Sequence, residues 1–275
     1  MANILVVDDD RATRHLLVSL LTSAGFKATP AKDGAEALKK LQDGRFDLML
    51  LDIWMPRMTG LDLLAALRKR RRRVKVVVMT SDDTPETLLQ TLREQTVEHL
   101  HKPVNPLTLL PLIRQVLEGA PPPRIEVVSA RPDWVELVAP CTRQAAERVQ
   151  GVVTRLDTDL ADDVRESVGY AFRELLLNAV EWGGRLDPDR RVRISFLRGR
   201  RMLLYRIADP GTGFRIEDLD HAAITHPDNP IEHVLKREEL GLRPGGFGLL
   251  MVRAKVDELI YNEKRNEVVF IKYVD

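Results

Sequence analysis

Apolar positions along the chain change rhythm once, near its middle. ILVV (4–7), DLMLL (47–51) and VKVVVM (74–79) are short, continuous apolar runs bounded by charges or turn residues. Runs of this kind suit strands buried on both faces of a parallel sheet. A weaker run, TVEHLHKP, follows them. Between the runs, RHLLVSLLTSAG, GAEALKKL and LLAALRKR repeat apolar residues at helical spacing, and Gly25 stands where a C-terminal cap is expected. The alternation predicts a doubly wound α/β domain over residues 1–119.

GAPPPR then interrupts the pattern. Three successive prolines cannot continue a helix and favour a stiff connector, placed at 120–124. From 125 to 275 the order is a short strand, long helices and then paired β segments (RVRISFL, RMLLYRIAD, ELIYNE, EVVFIKYV). That grouping predicts an α+β two-layer sandwich with helices on one face of a mixed sheet.

Polar residues at the ends of the first-domain runs are of particular kinds. Asp8 and Asp9 follow the first run, Asp52 the third strand, Thr80 the fourth and Lys102 the fifth. In a parallel sheet, chemistry collects at the carboxyl ends of strands. Three converging carboxylates call for a hard cation such as Mg²⁺. A hydroxyl and an ammonium beside them would bind the extra oxygens of a phosphoryl group on Asp52. With VVDDD, LDIWMPRMTG, VMTSDD and HKP in this order, residues 1–118 resemble a response-regulator receiver domain. The resemblance implies that Asp52 is the phospho-acceptor, Asp8 and Asp9 with Asp52 hold Mg²⁺, Thr80 is the switch hydroxyl and Lys102 binds phosphate. It also implies an upstream histidine kinase as partner. His99 stands where receivers usually carry an aromatic switch residue. Trp54, two residues after Asp52, is bulky enough to shield an acyl phosphate from water, or else to pack on a partner.

In the second domain, apolar residues recur at helical spacing from Leu160 to Val180, and Gly183–Gly184 are expected to stop that helix. Glu174 and Asn178 lie four apart, on one face. An amide oxygen can ligate Mg²⁺, and a carboxylate one turn earlier can act as a base. RMLLYRIAD ends in DPGTGF, where Asp209 can accept a hydrogen bond from an exocyclic amine while Gly211 and Gly213 admit a ring closely. LRPGGFGLLMV follows, with Gly245, Gly246 and Gly248 ahead of a helix whose amides can cradle phosphate. Residues 217–243 between them have weak periodicity and are expected to form a lid.

In this order ELLLNAVEW, DPGTGF and GGFGLLMV resemble the GHKL ATPases, the Bergerat fold, and most closely the anti-sigma-factor serine kinases. The resemblance implies ATP as ligand, Asn178 on its Mg²⁺, Glu174 as catalytic base, Asp209 reading adenine, and Gly211, Gly213 and Gly245–Gly248 lining the nucleotide. The six histidines are His15, His99, His101, His221, His226 and His233, and none lies between the prolines and Leu160. That absence, with too little chain for a helical hairpin, argues against histidine autophosphorylation. The expected function is a response regulator whose phosphorylated Asp52 controls a serine/threonine protein kinase, acting on a STAS-type anti-sigma antagonist or holding a sigma factor. The alternative is an ATP-dependent binding switch with little phosphotransfer. A homodimer is implied only by the resemblance.

Bulk properties narrow the picture further. A net charge of +1 gives no global pull toward nucleic acid or a membrane surface, and no helix-turn-helix segment follows the receiver-like part. One cysteine, Cys141, excludes an intrachain disulfide and reads as a buried apolar residue. With no apolar run near the ~20 residues of a membrane span, the expected location is the cytoplasm. RKRRRRVK (68–75) packs seven basic residues into eight positions and reads as a solvated loop, or a contact for an acidic partner.

Overall fold

The structure, a computed structural model, describes all residues except 71–73, 82–83, 94–97, 120–122, 132, 157–158, 215–247 and 275, and leaves out six side chains within helices and strands, His99 among them. The chain divides into two compact units, Met1–Pro122 and Pro123–Asp275.

The first unit alternates β1 (Asn3–Val7), α1 (Arg11–Ser23), β2 (Lys27–Ala31), α2 (Gly34–Asp43), β3 (Leu48–Asp52), α3 (Gly60–Lys69), β4 (Lys75–Thr80), α4 (Pro85–Arg93), β5 (Glu98–His101) and α5 (Pro106–Glu118). Its sheet runs β2-β1-β3-β4-β5 with every pairing parallel. Successive residues of the central strands point into two different cores. Leu5, Val7, Met49, Leu51, Val76 and Val78 meet Leu41, Leu63 and Leu67 of α2 and α3. Ile4, Val6, Leu48, Leu50, Val77 and Met79 meet Leu17 and Leu21 of α1 and Ile113 of α5. Both faces are covered, which is why these strands read as unbroken apolar runs rather than alternating ones. Helix starts are set locally: Asp10 accepts from Thr13 N, Asp33 from Glu36 N, and Thr59 and Asp62 form a capping box.

Residues 71–73 of the basic run 68–75 lie outside the described residues, and the ends of the run belong to regular elements. Arg68 and Lys69 close the last turn of α3, where cations favour the helix dipole. Lys75 opens β4, and its ammonium donates to the carbonyls of Val116 at 2.7 Å, Leu117 at 3.0 Å and Gly119 at 2.8 Å. These are carbonyls that the end of α5 would otherwise leave unpaired. Replacing Lys75 with Met keeps the aliphatic stem and removes the donors. The first unit should lose about 2 kcal/mol, read as a lower urea midpoint with an unchanged slope.

The second unit comprises β6 (Glu126–Arg131), β7 (Trp134–Pro140), α6 (Arg143–Leu156), α7 (Asp162–Asn178), a π-turn (Ala179–Gly183), β8 (Arg191–Arg198), β9 (Met202–Ala208), α8 (Gly248–Lys255), β10 (Glu258–Tyr261) and β11 (Glu267–Tyr273). The sheet order is β10-β11-β9-β8-β7-β6. The expectation of a mixed sheet is not met, because every pairing among the described residues is antiparallel. The reason lies in the connection between β7 and β8. A single crossover helix would make them parallel. Two helices, α6 and α7, carry the chain out and back instead, so Arg191 pairs with Pro140, the residue where β7 ended.

One face of this sheet packs under the helices. Tyr205 is fully buried and stacks on Phe270 at 4.7 Å, with Phe196 at 4.8 Å and Phe172 of α7 at 5.6 Å. The opposite face carries ion pairs, among them the bidentate Arg206–Glu267 at 2.6 and 2.9 Å. Among the described residues, no helix is long and apolar enough to cross a membrane.

Candidate functional sites

The carboxyl ends of β1, β3, β4 and β5 converge on one crevice. Asp8 follows β1 with no exposure, Asp52 ends β3 at 4% and Thr80 ends β4 at 2%, while Asp9 is exposed. Asp8, Asp9 and Asp52 each offer a carboxylate oxygen, and these lie within 4.8 Å of one another. Lys102, just after β5, reaches Asp52 Oδ2 at 2.6 Å and Asp8 Oδ2 at 2.8 Å. Its own amide donates to the Thr80 carbonyl at 2.9 Å, which ties the lysine to the end of β4. The peptide bond between Lys102 and Pro103 is cis.

Burial raises the Asp52 carboxyl above the ordinary aspartate range. The Asp8 charge adds to that, against the hydrogen bond and charge of Lys102 and the amide of Trp54, which donates to Asp52 Oδ1 at 3.2 Å. Burial alone would lower Lys102, but its hydrogen bond to Asp52 and its close contact with the Asp8 carboxylate outweigh burial and raise it. A buried oxygen on Asp8, in ionic contact with Lys102 but outside hydrogen-bond geometry, is the donor left for a hard cation. One carboxylate oxygen from each of Asp8, Asp9 and Asp52 makes a set that fits Mg²⁺. Gly60 sets the backbone beneath: a Cβ there would stand 2.4 Å from the Asp52 carbonyl oxygen. Trp54 is half exposed beside the crevice. The His99 side chain lies outside what the structure describes.

A second cluster forms where α7 meets α8. Glu174 and Asn178 occupy the last turn of α7, with Asn178 its final residue. Gly248 opens α8, and a Cβ on it would stand 2.3 Å from Glu174 Oε2. The Glu174 carboxylate therefore lies against a helix N-terminus, where negative charge is favoured. Lys255, at the end of α8, lies 5.7 Å over the Tyr170 ring and 3.7 Å from Glu166, both on α7. Burial and the Glu174 charge raise the Tyr170 hydroxyl.

Asp209 follows β9, with its amide bonded to the Asn266 carbonyl at 2.9 Å and its Oδ1 accepting from Gly211 N at 2.7 Å. Burial raises its carboxyl against that amide bond. Asn266 Nδ2 donates to the Gly211 carbonyl at 3.1 Å. Gly213 has φ +85° and packs on the Lys264 carbonyl. Phe214 meets the edge of Tyr261, whose hydroxyl burial pushes up to about 12.

Of the sequence-predicted residues, the structure brings together Asp8, Asp9, Asp52 and Lys102 in one crevice, Glu174 with Gly248, and Asp209 with Gly211. Gly245, Gly246, the expected lid over 217–243 and its three histidines lie outside the described residues. The helical stretch ends at Gly183 with Gly184 as its cap, as the sequence predicts, but its last turn is not a regular α-helix. In the structure α7 widens into a π-turn with Gly184 N bonded to the Ala179 carbonyl at 2.8 Å, and Gly184 keeps a right-handed helical conformation. The glycines serve close packing: Gly184 lies on the Cys141 side chain and Gly183 on the Asp209 carboxylate. Cys141 is fully buried, as expected, and burial pushes its thiol up to about 11. Asn266 carried no sequence signal, because its role arises only across the β10–β11 turn.

Comparison with known proteins agrees with this architecture. A family model described as a response regulator receiver domain matches residues 4–114, and one described as a histidine kinase-like ATPase domain matches residues 135–272. The chain belongs to the response regulators, and its second unit is a histidine kinase-like ATPase domain. The transcriptional regulatory protein CpxR of Escherichia coli is 38% identical over 117 residues, 42% of this chain; the chain spans 50% of CpxR's length. The DNA-binding response regulator MtrA of Mycolicibacterium paratuberculosis is 30% identical over 190 residues, covering 69% of this chain and 83% of MtrA. Among solved structures, the chemotaxis protein CheY4 of Vibrio cholerae is 35% identical over 42% of this chain and 98% of its own, with a TM-score of 0.41. A receiver domain implies a phosphodonor such as a histidine kinase, and the second half of the chain matches a histidine kinase-like ATPase domain.

Proposed function

We propose that this response regulator accepts a phosphoryl group on Asp52 and thereby controls an ATP-dependent serine/threonine protein kinase in its second half. In the receiver, Asp8, Asp9 and Asp52 would hold Mg²⁺, which supplies positive charge to the phosphoryl oxygens during transfer. Asp52 attacks the phosphorus of a phosphohistidine, and the imidazole leaves. Lys102 and Thr80 then bind the oxygens that the new acyl phosphate carries beside them.

In the ATPase domain, Asn178 would ligate the Mg²⁺ of bound ATP, Asp209 would accept from the adenine amine, and Gly211, Gly213, Gly245, Gly246 and Gly248 would line the nucleotide. Glu174 takes the proton of a partner's serine or threonine hydroxyl as its oxygen bonds to the γ-phosphorus and ADP leaves. The partner of this proposal is a STAS-type anti-sigma antagonist as substrate, or a sigma factor held by the same surface.

The observation that carries the kinase reading is the place of Glu174. It lies one turn before Asn178, with its carboxylate against the first residue of α8. Supporting it, residues 123–161 contain no histidine, and their described part folds as β6, β7 and one helix rather than a helical hairpin.

Glu174→Gln keeps size and hydrogen bonding while removing the base. Incubated with γ-labelled ATP and extract from the host, it should lose acid-stable labelling of a second protein by about 100-fold or more, with ATP affinity within about twofold of the unaltered chain. Equal labelling by the variant, or acid-labile label on the chain itself, would overturn the reading. ATP binding with no transfer by either protein would favour a nucleotide-gated binding switch.

A further inference from the structure

Gly183 has no place in the nucleotide site as drawn so far, yet it makes the tightest approach to a proposed ligand-reading group. A Cβ on it would stand 2.1 Å from Asp209 Oδ1 and 2.2 Å from Asp209 Cγ. Gly211 lies beside it, since a Cβ there would stand 2.7 Å from the same Oδ1 and 2.9 Å from Gly183 Cα. Two neighbouring glycines thus pack against the Oδ1 edge of the carboxylate.

Two hydrogen bonds hold the residue in place. Its oxygen is bonded to Gly211 N at 2.7 Å and its backbone to Asn266, and an aspartate has only two side-chain torsions with which to yield.

The wall that bears Gly183 is held from several directions. The π-turn is closed by Gly184 N on the Ala179 carbonyl and by Leu186 N on the Val180 carbonyl at 3.0 Å. Arg190 Nη1 donates to the Gly183 carbonyl at 3.2 Å, and Arg143 Nε pairs with Glu181 at 3.0 Å. Single π-turns within helices recur at functional sites, where they re-aim a residue that a regular helix would point elsewhere.

We propose that Gly183 is a positioning residue for base selection: the π-turn sets it against Asp209 so that the carboxylate holds the one orientation that can accept from the exocyclic amine of adenine. The inference rests on the proposed adenine-reading role of Asp209. It adds that purine discrimination depends on the small size of position 183 and on the turn that carries it.

The test compares ATP with purine riboside triphosphate, which has the same ring and phosphates without the amine, by equilibrium dialysis on the full chain. The unaltered chain should prefer ATP by about tenfold. Gly183→Ala should bring ATP down to the level of the analogue while leaving the analogue's affinity within about twofold. In an Asp209→Asn background the same substitution should change neither affinity further.

Should the added methyl unfold the domain, Arg190→Met releases the Gly183 carbonyl without adding an atom beside the carboxylate, and should erode the preference in the same direction. Full ATP preference in a folded Gly183→Ala chain, or in Arg190→Met if that is the folded one, would overturn the proposal, as would an equal loss for both nucleotides. No preference in the unaltered chain, or none lost in Asp209→Asn, would instead remove the adenine-reading role beneath it.

Discussion

Lys102→Ala is expected to destabilise the receiver domain by about 3 kcal/mol at neutral pH and low salt. Asp8 and Asp52 are 0% and 4% exposed, and Lys102 is the cation in contact with both. Without it two neighbouring anions stay buried and uncompensated, which costs far more than the loss of a surface pair. Millimolar Mg²⁺ should recover a large part of the loss, since a divalent ion among the same oxygens replaces the missing charge.

Asp52→Asn should behave in the opposite way. It removes an anion that burial already disfavours and leaves Lys102 paired with Asp8, so stability should hold or rise slightly. Phosphoryl acceptance from a histidine kinase or a small acyl phosphate should nevertheless vanish. The linkage has a definite sign. Burial raises the Asp52 carboxyl, so the folded chain holds that proton more tightly than the unfolded chain. The stability this adds is complete below the unfolded value and is lost as pH rises through the folded one. Asp52→Asn abolishes that dependence. Urea midpoints for the three proteins, with and without Mg²⁺ and between pH 4 and 8, check all of these together. Equal stability of Lys102→Ala and the unaltered chain without Mg²⁺ would show that the crevice takes in enough water to screen the carboxylates.

Gly213→Ala is expected to cost the ATPase domain about 3 kcal/mol or more, and with it measurable ATP binding. Its φ of +85° is disfavoured for any other residue, and the added Cβ would fall 1.5 Å from the Lys264 carbonyl oxygen. The neighbour is backbone, so the whole β10–β11 turn must move. Two other glycines separate the contributions. Gly25 has φ +88° with nothing within 4 Å of a built Cβ, so alanine there pays for conformation alone, about 1 kcal/mol. Gly151 lies inside α6 with equally open space, so alanine should stabilise by about 0.5–1 kcal/mol. Denaturant midpoints of the three variants should therefore fall on both sides of the unaltered chain. A Gly213→Ala protein no weaker than Gly25→Ala would mean that the turn yields freely.

The sequence was most legible where one element determines its own environment. β1, β3 and β4 are buried on both faces and so announce themselves as apolar runs with a functional residue at the end of each. β2 (KATPA) gave no such signal: it is an edge strand, only partly buried, and tolerates Pro30 for that reason. The direction of the second sheet was illegible because it depends on how many helices lie between β7 and β8, and helix count does not appear in any strand. The π-turn escaped for a related reason. Its i to i+5 bonding leaves residue types unchanged, and a Gly–Gly pair after an amphipathic helix reads as a cap. Glu174, Asn178 and Asp209 stand out by motif spacing, whereas the packing of Gly183 on Asp209 and the bond of Asn266 to Gly211 arise only in the fold.

Three tryptophans are distributed so that light can report on the halves separately. Trp54 is the only one in the receiver, half exposed and bonded through its amide to the carboxylate of Asp52. Trp134 lies on β7 and Trp182 on the π-turn, directly before Gly183. A chain with phenylalanine at 134 and 182 keeps one emitter, in the receiver. A chain with phenylalanine at 54 and 134 keeps one on the π-turn, next in sequence to Gly183. Quenching, polarisation and emission colour can then follow the chemistry of either half in the intact protein, without a dye attached to it.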